Sequence, residues 1–455
     1  MFNLADKISD LPSINDGLQN SKYMQVAPSR DCTLSNFPNG SQYFNFETSG
    51  NTWWCPAKTY LRYRIEYTRG DGAPLNPAEP EVGEADLEIS PNPMMIANLY
   101  QSCEFRIGGQ TVGQVGDFLP QVDALKTRMS KSKPWLDSIG ELSNFCSAND
   151  DLRKSEIMAD VPKVNASATS TLVNGEQGRE KGKLECIWRP PLNIMDVESC
   201  LPSGKYSLVL NPINASQYKL NSVLTGGATS KTAGVGGAFD FKITDIYLYV
   251  HTVEGETVSS KSYALDLQNI HCQADTVQNS SLNQRYFDVS PSTVALAVAY
   301  QDVRLQDTRV SASYFTCSSA GPVLESFASG KLQNNLNRFF ISYAGMQKPA
   351  PDADPQYDVT TDRLAERYYE TQLESLMAFD PAGPETYQEW LRRGLYMLYN
   401  FPKDGDSAAT RVQVNSQFSE VTGDAMRVLL FSISRTAVQI TVSNGSVVNV
   451  TLAER

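Results

Sequence analysis

The sequence predicts an all-β chain: two consecutive antiparallel sandwiches with helical insertions. Many short runs alternate apolar and polar residues with a period of two, the signature of half-buried strands. The same arrangement also occurs twice, at positions 103 and 338, about 235 residues apart. In each copy an alternating strand ends in glycine and is followed by an irregular stretch, an amphipathic helix and further strands. The first copy is Cys103-Glu104-Phe105-Arg106-Ile107-Gly108-Gly109, and the second is Arg338-Phe339-Phe340-Ile341-Ser342-Tyr343-Ala344-Gly345. Finally, 455 residues with 41% hydrophobic and 20% charged side chains, among them 21 Tyr and 18 Phe, suffice for two large folded cores.

The elements follow in order. Residues 1–40 are polar, contain Pro12, Pro28 and Pro38, and read as an N-terminal arm. Residues 41–255 read as the first sandwich and 256–455 as the second, with the best boundary at 253–261. The first clear strand is 60–67, where Leu61, Tyr63, Ile65 and Tyr67 alternate with charged residues. A Gly, Pro and Glu-rich loop covers 70–84, alternation resumes at 86–90, and 93–101 reads as a short helix leading into the Cys103 strand. Pro120 suits a first helical position, with Val122, Leu125 and Met129 at i, i+3 and i+7 on one face. The polar stretch 147–182 is a long loop, a feature that compact domains retain for function or assembly. Strands are expected at 184–188, 206–210 and 239–250, with a Gly-rich loop at 225–237.

The second half repeats the style, with strands at 263–267, 293–299, 310–315 and 336–343. A helix over 362–377, capped by Thr361, follows the loop 349–355. A second helix starts at Pro384 and carries Tyr387, Trp390, Leu391, Gly394 and Leu395 on one face. Closing strands are expected at 411–418, 426–434, 438–442 and 447–452. Many short strands in two sets, with loop insertions, point to sandwiches of the jelly-roll kind.

Composition narrows the function. A net charge of −12 and a first thirty residues with only Lys7, Lys22 and Arg30 against three aspartates leave no basic genome-binding arm and no direct sequence-specific nucleic-acid binding. Eight cysteines without a C-x-x-C pair read as buried free thiols. The first residues lack a signal peptide's pattern and no apolar run approaches a membrane span, so a soluble protein in a reducing compartment is expected.

Catalytic signatures are missing. The only two histidines, His251 and His271, lie in apolar strand patterns and read as structural, so no metal site, cofactor or enzymatic activity is expected. No G-x-S-x-G turn occurs. The segment Gly226-Gly227-Ala228-Thr229-Ser230-Lys231-Thr232 is similar to a phosphate-binding loop but has Ser where Gly must precede Lys, and it reads as a mobile hairpin loop. Arg69-Gly70-Asp71, the tripeptide that integrins recognise, falls at a loop tip after a strand and is the one candidate receptor contact; a Gly-Asp-Gly turn is its ordinary structural explanation.

Residues 91–112, from Pro91-Asn92-Pro93-Met94 through the Cys103 strand to Gln110-Thr111-Val112, resemble a segment of the double jelly-roll major capsid proteins. That lineage includes adenovirus hexon, tailless membrane-containing phages, large DNA viruses, virophages and Polinton-like elements. The strand Pro202-Ser203-Gly204-Lys205-Tyr206-Ser207-Leu208-Val209-Leu210 and the 239–250 strand resemble the same pattern. The resemblance implies a major capsid protein of a DNA virus, a non-enzyme built into pseudo-hexameric homotrimers that tile an icosahedral shell. It implies as partners neighbouring capsomers, minor capsid or penton proteins and an internal membrane, with location in the virion after synthesis in the host cytoplasm. From the residues alone, a two-domain β-sandwich carbohydrate-active enzyme or glycan-binding protein stands as the alternative, favoured by the aromatic content and opposed by the missing secretory signal.

Overall fold

A computed structural model describes residues 19–30, 40–70, 72, 89–90, 95–136, 139–143, 183–214, 219–224, 227–232, 239–255, 260–277, 283–302, 336–350, 364–378, 386–387, 390, 395–401, 409–418 and 426–454. In the first half the elements are β1 (Gln19–Val26), β2 (Gln42–Thr48), β3 (Thr52–Trp54), β4 (Tyr60–Arg69), β5 (Ile89–Ser90), α1 (Met95–Asn98), β6 (Tyr100–Ile107) and β7 (Gln110–Val115). Helices α2 (Leu119–Ser130), α3 (Lys133–Leu136) and α4 (Ile139–Leu142) come next. They are followed by β8 (Lys183–Trp188), β9 (Gly204–Pro212), β10 (Lys219–Leu224), β11 (Gly227–Thr232) and β12 (Phe239–Glu254). The second half comprises β13 (Ser260–Val277), β14 (Asn283–Asp288), β15 (Thr293–Asp302), β16 (Leu336–Tyr343), β17 (Met346–Lys348), α5 (Leu364–Ala378), β18 (Tyr396–Asn400), β19 (Arg411–Phe418), β20 (Met426–Ser443) and β21 (Ser446–Glu454).

Four antiparallel sheets carry the architecture. In the first half they run β1-β12-β4-β8 and β2-β9-β6-β7, and in the second β13-β20-β15-β18 and β14-β19-β16-β17. Lettering the eight principal strands of each half B to I in chain order gives the orders B-I-D-G and C-H-E-F in both. This is the double Greek key of a jelly roll, built twice. In each half the helical insertion falls at the same place, between strands F and G: α2 to α4 in the first roll and α5 in the second. A smaller sheet, β11-β10-β5, is added to the first roll.

The glycines at the ends of the repeated strands are explained by the E–F hairpins. Gly108 and Gly109 turn with φ of 57° and 89°, and Ala344 and Gly345 with 52° and 78°. Each pair links strands whose last and first residues face each other, Ile107 with Gln110 and Tyr343 with Met346. Two successive positive φ angles are what a type I′ turn requires, and that turn matches the twist of a two-residue hairpin. Asn444 and Gly445, at 51° and 78°, repeat it between β20 and β21.

Each sandwich is bridged by aromatic side chains. In the first, Trp54 stacks on Phe105 at 4.9 Å and packs against Phe46 and Tyr206. Tyr63 of the B-I-D-G sheet meets the Tyr100 hydroxyl at 3.0 Å, and Tyr100 donates to Gln42 Oε1 at 2.9 Å. That buried chain of hydrogen bonds joins the two sheets while satisfying polar atoms that water cannot reach. In the second, Tyr300 meets Phe418 edge-on at 5.0 Å and Tyr343 meets Phe401 at 5.5 Å.

Several expectations are corrected. Residues 19–26, assigned to an N-terminal arm, form strand B of the first roll; as an edge strand with an exposed side it carries too few apolar residues to announce itself. The separate strands at 426–434 and 438–442 are one strand, because β13 pairs with β20 without interruption from Thr276/Arg427 to Ser260/Ser443 and carries it through the polar Arg435-Thr436. Leu395 is not helical but leads into β18. One helical turn does precede it, with Trp390 N–H donating to Thr386 O at 2.9 Å. Within the expected glycine-rich loop at 225–237, residues 227–232 form strand β11, paired from Leu224/Gly227 to Lys219/Thr232, and the rest of that segment lies outside the described residues. The expected strand at 310–315, the cap Thr361 and the loop at 147–182 lie outside the described residues.

Replacing Ala344 by Asn should relieve the left-handed strain at the first turn position, since Asn tolerates that conformation far better than Ala. Ala344→Asn is expected to raise stability by about 0.5 to 1 kcal/mol, read as a higher urea midpoint at unchanged slope.

Candidate functional site

The two rolls meet along a seam built from several elements of each. From the first roll come α2, the E–F hairpin, the 3-10 turn Asn193–Asp196 and the start of β9; from the second come β13 and β21. Ser203 and Ser446 form a bridge, Val447 N–H donates to Ser203 O at 2.8 Å, and Ser203 Oγ donates to Gly445 O. A Cβ on Gly204 would lie 3.1 Å from Val447 Cβ and Cγ2, closer than packed side chains tolerate, so the glycine permits the approach.

Two buried arginines cross the seam in opposite directions. The Arg128 guanidinium of α2 lies 4.8 Å from the ring centre of Tyr396 in β18, and that of Arg427 in β20 lies 4.9 Å from the ring centre of Phe118. Arg427 is aimed by Gln301, whose Oε1 accepts from Nη2 at 2.6 Å and from Nε at 3.1 Å. Desolvated cation–π contacts of this kind contribute about 2 kcal/mol each and fix the ring and guanidinium planes.

Helix α2 is buried from Leu119 to Met129, polar residues included. Burial on all sides obliges those polar groups to find partners. Asp123 Oδ2 accepts from Trp188 Nε1 of β8 at 2.9 Å, and Lys126 pairs with Asp196 of the 3-10 turn. Burial pushes the Asp123 carboxyl up to about 7, against the opposing pull of the Trp188 N–H and the Lys126 ammonium. In the second roll α5 is tied to the same strand G: Asn400 N–H and Nδ2 donate to Glu374 Oε2 at 2.9 and 2.7 Å.

Arg69 ends β4, Gly70 is exposed beyond it, and Asp71 falls outside the described residues. His251 is buried in β12, where its Nε2 meets Ser21 Oγ at 2.9 Å and its ring meets Tyr23 edge-on, tying β1 down; burial lowers its pKa, with the Lys58 charge adding to the effect. His271 lies exposed on β13. Among the described residues no group of three or more His, Cys, Asp or Glu side chains could hold a metal ion. Phe118, Arg128, Gly204, Tyr396 and Arg427 were not picked out from sequence. A helix with charges at 123, 126 and 128 and no polar face held the available signal.

No protein-family model matches the sequence, and comparison with curated protein sequences finds no match. Solved structures do match. A chain from the 3.5 Å cryo-EM structure of the Sputnik virophage superposes with a TM-score of 0.60 at 10% identity, over 96% of this chain and 89% of that one. VP54 of PBCV-1, as fitted into a cryo-EM reconstruction of Sputnik, gives 0.50 at 9% identity, over 96% and 97%. The chain has the double jelly-roll fold. The crystal structure of the mavirus major capsid protein also matches, with a TM-score of 0.48 at 10% identity over 95% and 90%. The double jelly roll accounts for the B-I-D-G and C-H-E-F order in both halves and for the matched position of the F–G helices.

A raised Asp123 pKa has a definite sign. Between the ordinary value of 3.8 and about 7 the folded chain holds a proton that the unfolded chain has released, so this group's contribution falls as pH rises through that window and is least favourable above 7. Asp123→Asn keeps an acceptor for Trp188 without the charge. Its thermal stability relative to the parent is expected to improve progressively from pH 4 to pH 8, by up to a few kcal/mol. A pH-independent difference would contradict the assignment.

Proposed function

We propose that this double jelly roll is a major capsid protein, a non-enzyme whose homotrimers form pseudo-hexameric capsomers of an icosahedral virus shell. The observation that carries the reading is the seam. Two rolls of one topology are held side by side by a dedicated, buried contact, so three chains supply six similar blocks around an axis. Its fold is shared with a Sputnik virophage chain over 96% of its length, and its sequence resembles the same lineage at 91–112 and 202–210. The acidic balance, −12 overall, suits a shell component that does not itself neutralise a genome. Partners in this reading are neighbouring capsomers, minor capsid or penton proteins and an internal membrane; the protein is made in the host cytoplasm and ends in the virion. The glycan-active alternative has no support in the comparisons.

Electron microscopy and solution mass test the reading together. Hexagonal particles of three copies of the 50.2 kDa chain, about 150 kDa, are expected. A monomer that hydrolyses glycans would end it.

The exposed position of Gly70 after β4 supports receptor contact at Arg69, Gly70 and Asp71 as an added role. Asp71→Glu keeps the charge but lengthens the side chain, and is expected to reduce attachment of assembled particles to cells. Unchanged attachment would remove the role.

A further inference from the structure

The two F–G helices occupy the same place in the same topology, yet they are buried very differently. Helix α2 is covered from Leu119 to Met129 because the second roll lies against it, through β13 and through Tyr396 over Arg128. Helix α5 turns three of its polar side chains inward: Arg367, Thr371 and Ser375, four residues apart, are 0%, 0% and 1% exposed. Beyond the exposed Glu366 in the first turn, its outer face is a stripe of large apolar side chains, with Tyr369 63%, Leu373 44%, Leu376 47% and Met377 78% exposed. A helix that turns its large apolar residues outward along one stripe is built to be covered.

The chain holds a surface to match. The second roll covers α2 with its strand B, β13, and the corresponding strand of the first roll is β1. That strand has an exposed side, with Tyr23 at 51%, and its neighbour Lys22, on the opposite face, is also exposed. Lys22 is the only charged residue of β1, whereas α5 carries Glu366, Glu370 and Glu374 against Arg367, so the two elements are also opposite in charge.

We infer that the apolar stripe of α5 docks on the β1 side of the first roll of a second copy of this chain, repeating between chains the contact that α2 makes within one. Each copy then gives a helix to one neighbour and receives a helix from the other. This head-to-tail contact forms a ring when its rotation closes. The inference rests on the capsomer reading above and assigns its contact surface.

The full-length chain carrying Leu373→Glu together with Met377→Glu tests it. Both side chains are exposed, so the circular dichroism spectrum and thermal unfolding should be retained. Trimer association, followed by analytical ultracentrifugation, should weaken at least about tenfold, since a buried glutamate pair replaces an apolar contact. Trimers with unchanged dissociation would overturn the inference while leaving the capsomer reading standing, and a parent chain that is monomeric at every concentration would overturn both. A second measurement does not depend on disrupting anything. Differently tagged copies carrying Tyr23→Cys and Leu373→Cys are co-expressed and treated with a bismaleimide. A product joining the two tags above the level seen with the parent is expected, and its absence from intact trimers would overturn the inference.

Discussion

Much of the structure follows from one constraint, that helix α2 is buried on both sides. On one side it lies under its own roll, where Trp188 of β8 donates to Asp123; on the other it meets the second roll through β13 and the Arg128–Tyr396 pair. A helix without a solvent face cannot leave a charge unpartnered, because an isolated buried charge costs several kcal/mol. Its polar residues therefore act as fixed points. Asp123 ties it to strand G, Lys126 to the 3-10 turn, and Arg128 to the neighbouring roll. The two rolls are locked in orientation as well as in contact.

The remaining features of the seam serve the same end. Gly204 lets Val447 approach without a Cβ between them, and the Ser203 to Ser446 bridge carries backbone pairing across the boundary between rolls. The β20–β21 hairpin that supplies Val447 exists because Asn444 and Gly445 accept positive φ angles, as the two E–F turns also require. The second roll differs from the first in what lies beyond it. Its helix α5 is pinned to strand G by Glu374 and Asn400, as α2 is by Asp123 and Trp188, but Tyr369, Leu373, Leu376 and Met377 on its outer side are left exposed.

Legibility in the sequence followed the physics of each element. Strands with one wet face, such as β4 with Leu61, Tyr63 and Ile65 buried, announced themselves by alternation. The glycine-ended strands were visible as a repeat because a type I′ turn leaves few choices at its second position. Strand β1 was hidden, since it is an edge strand whose polar side chains reach solvent. The continuity of β20 was hidden too: Arg435-Thr436 looks like a break locally, and only pairing with β13 and β21 carries the strand through it. The seam residues were the least legible, because Arg128 and Tyr396 lie far apart in the chain and each is unremarkable alone.

The sequence by itself determined a twofold β-rich architecture, the positions of the F–G helices, the lack of a catalytic signature and a resemblance to capsid proteins. Those properties are written in local periodicity, turn chemistry and composition, which need no knowledge of distant contacts. Tertiary structure decided which strands share a sheet, which helix is covered and which is left apolar and bare, and where one roll grips the next. These depend on long-range burial and register, and no local pattern records them. The repeat at positions 103 and 338 marked two similar rolls; only their packing distinguished the covered α2 from the uncovered α5.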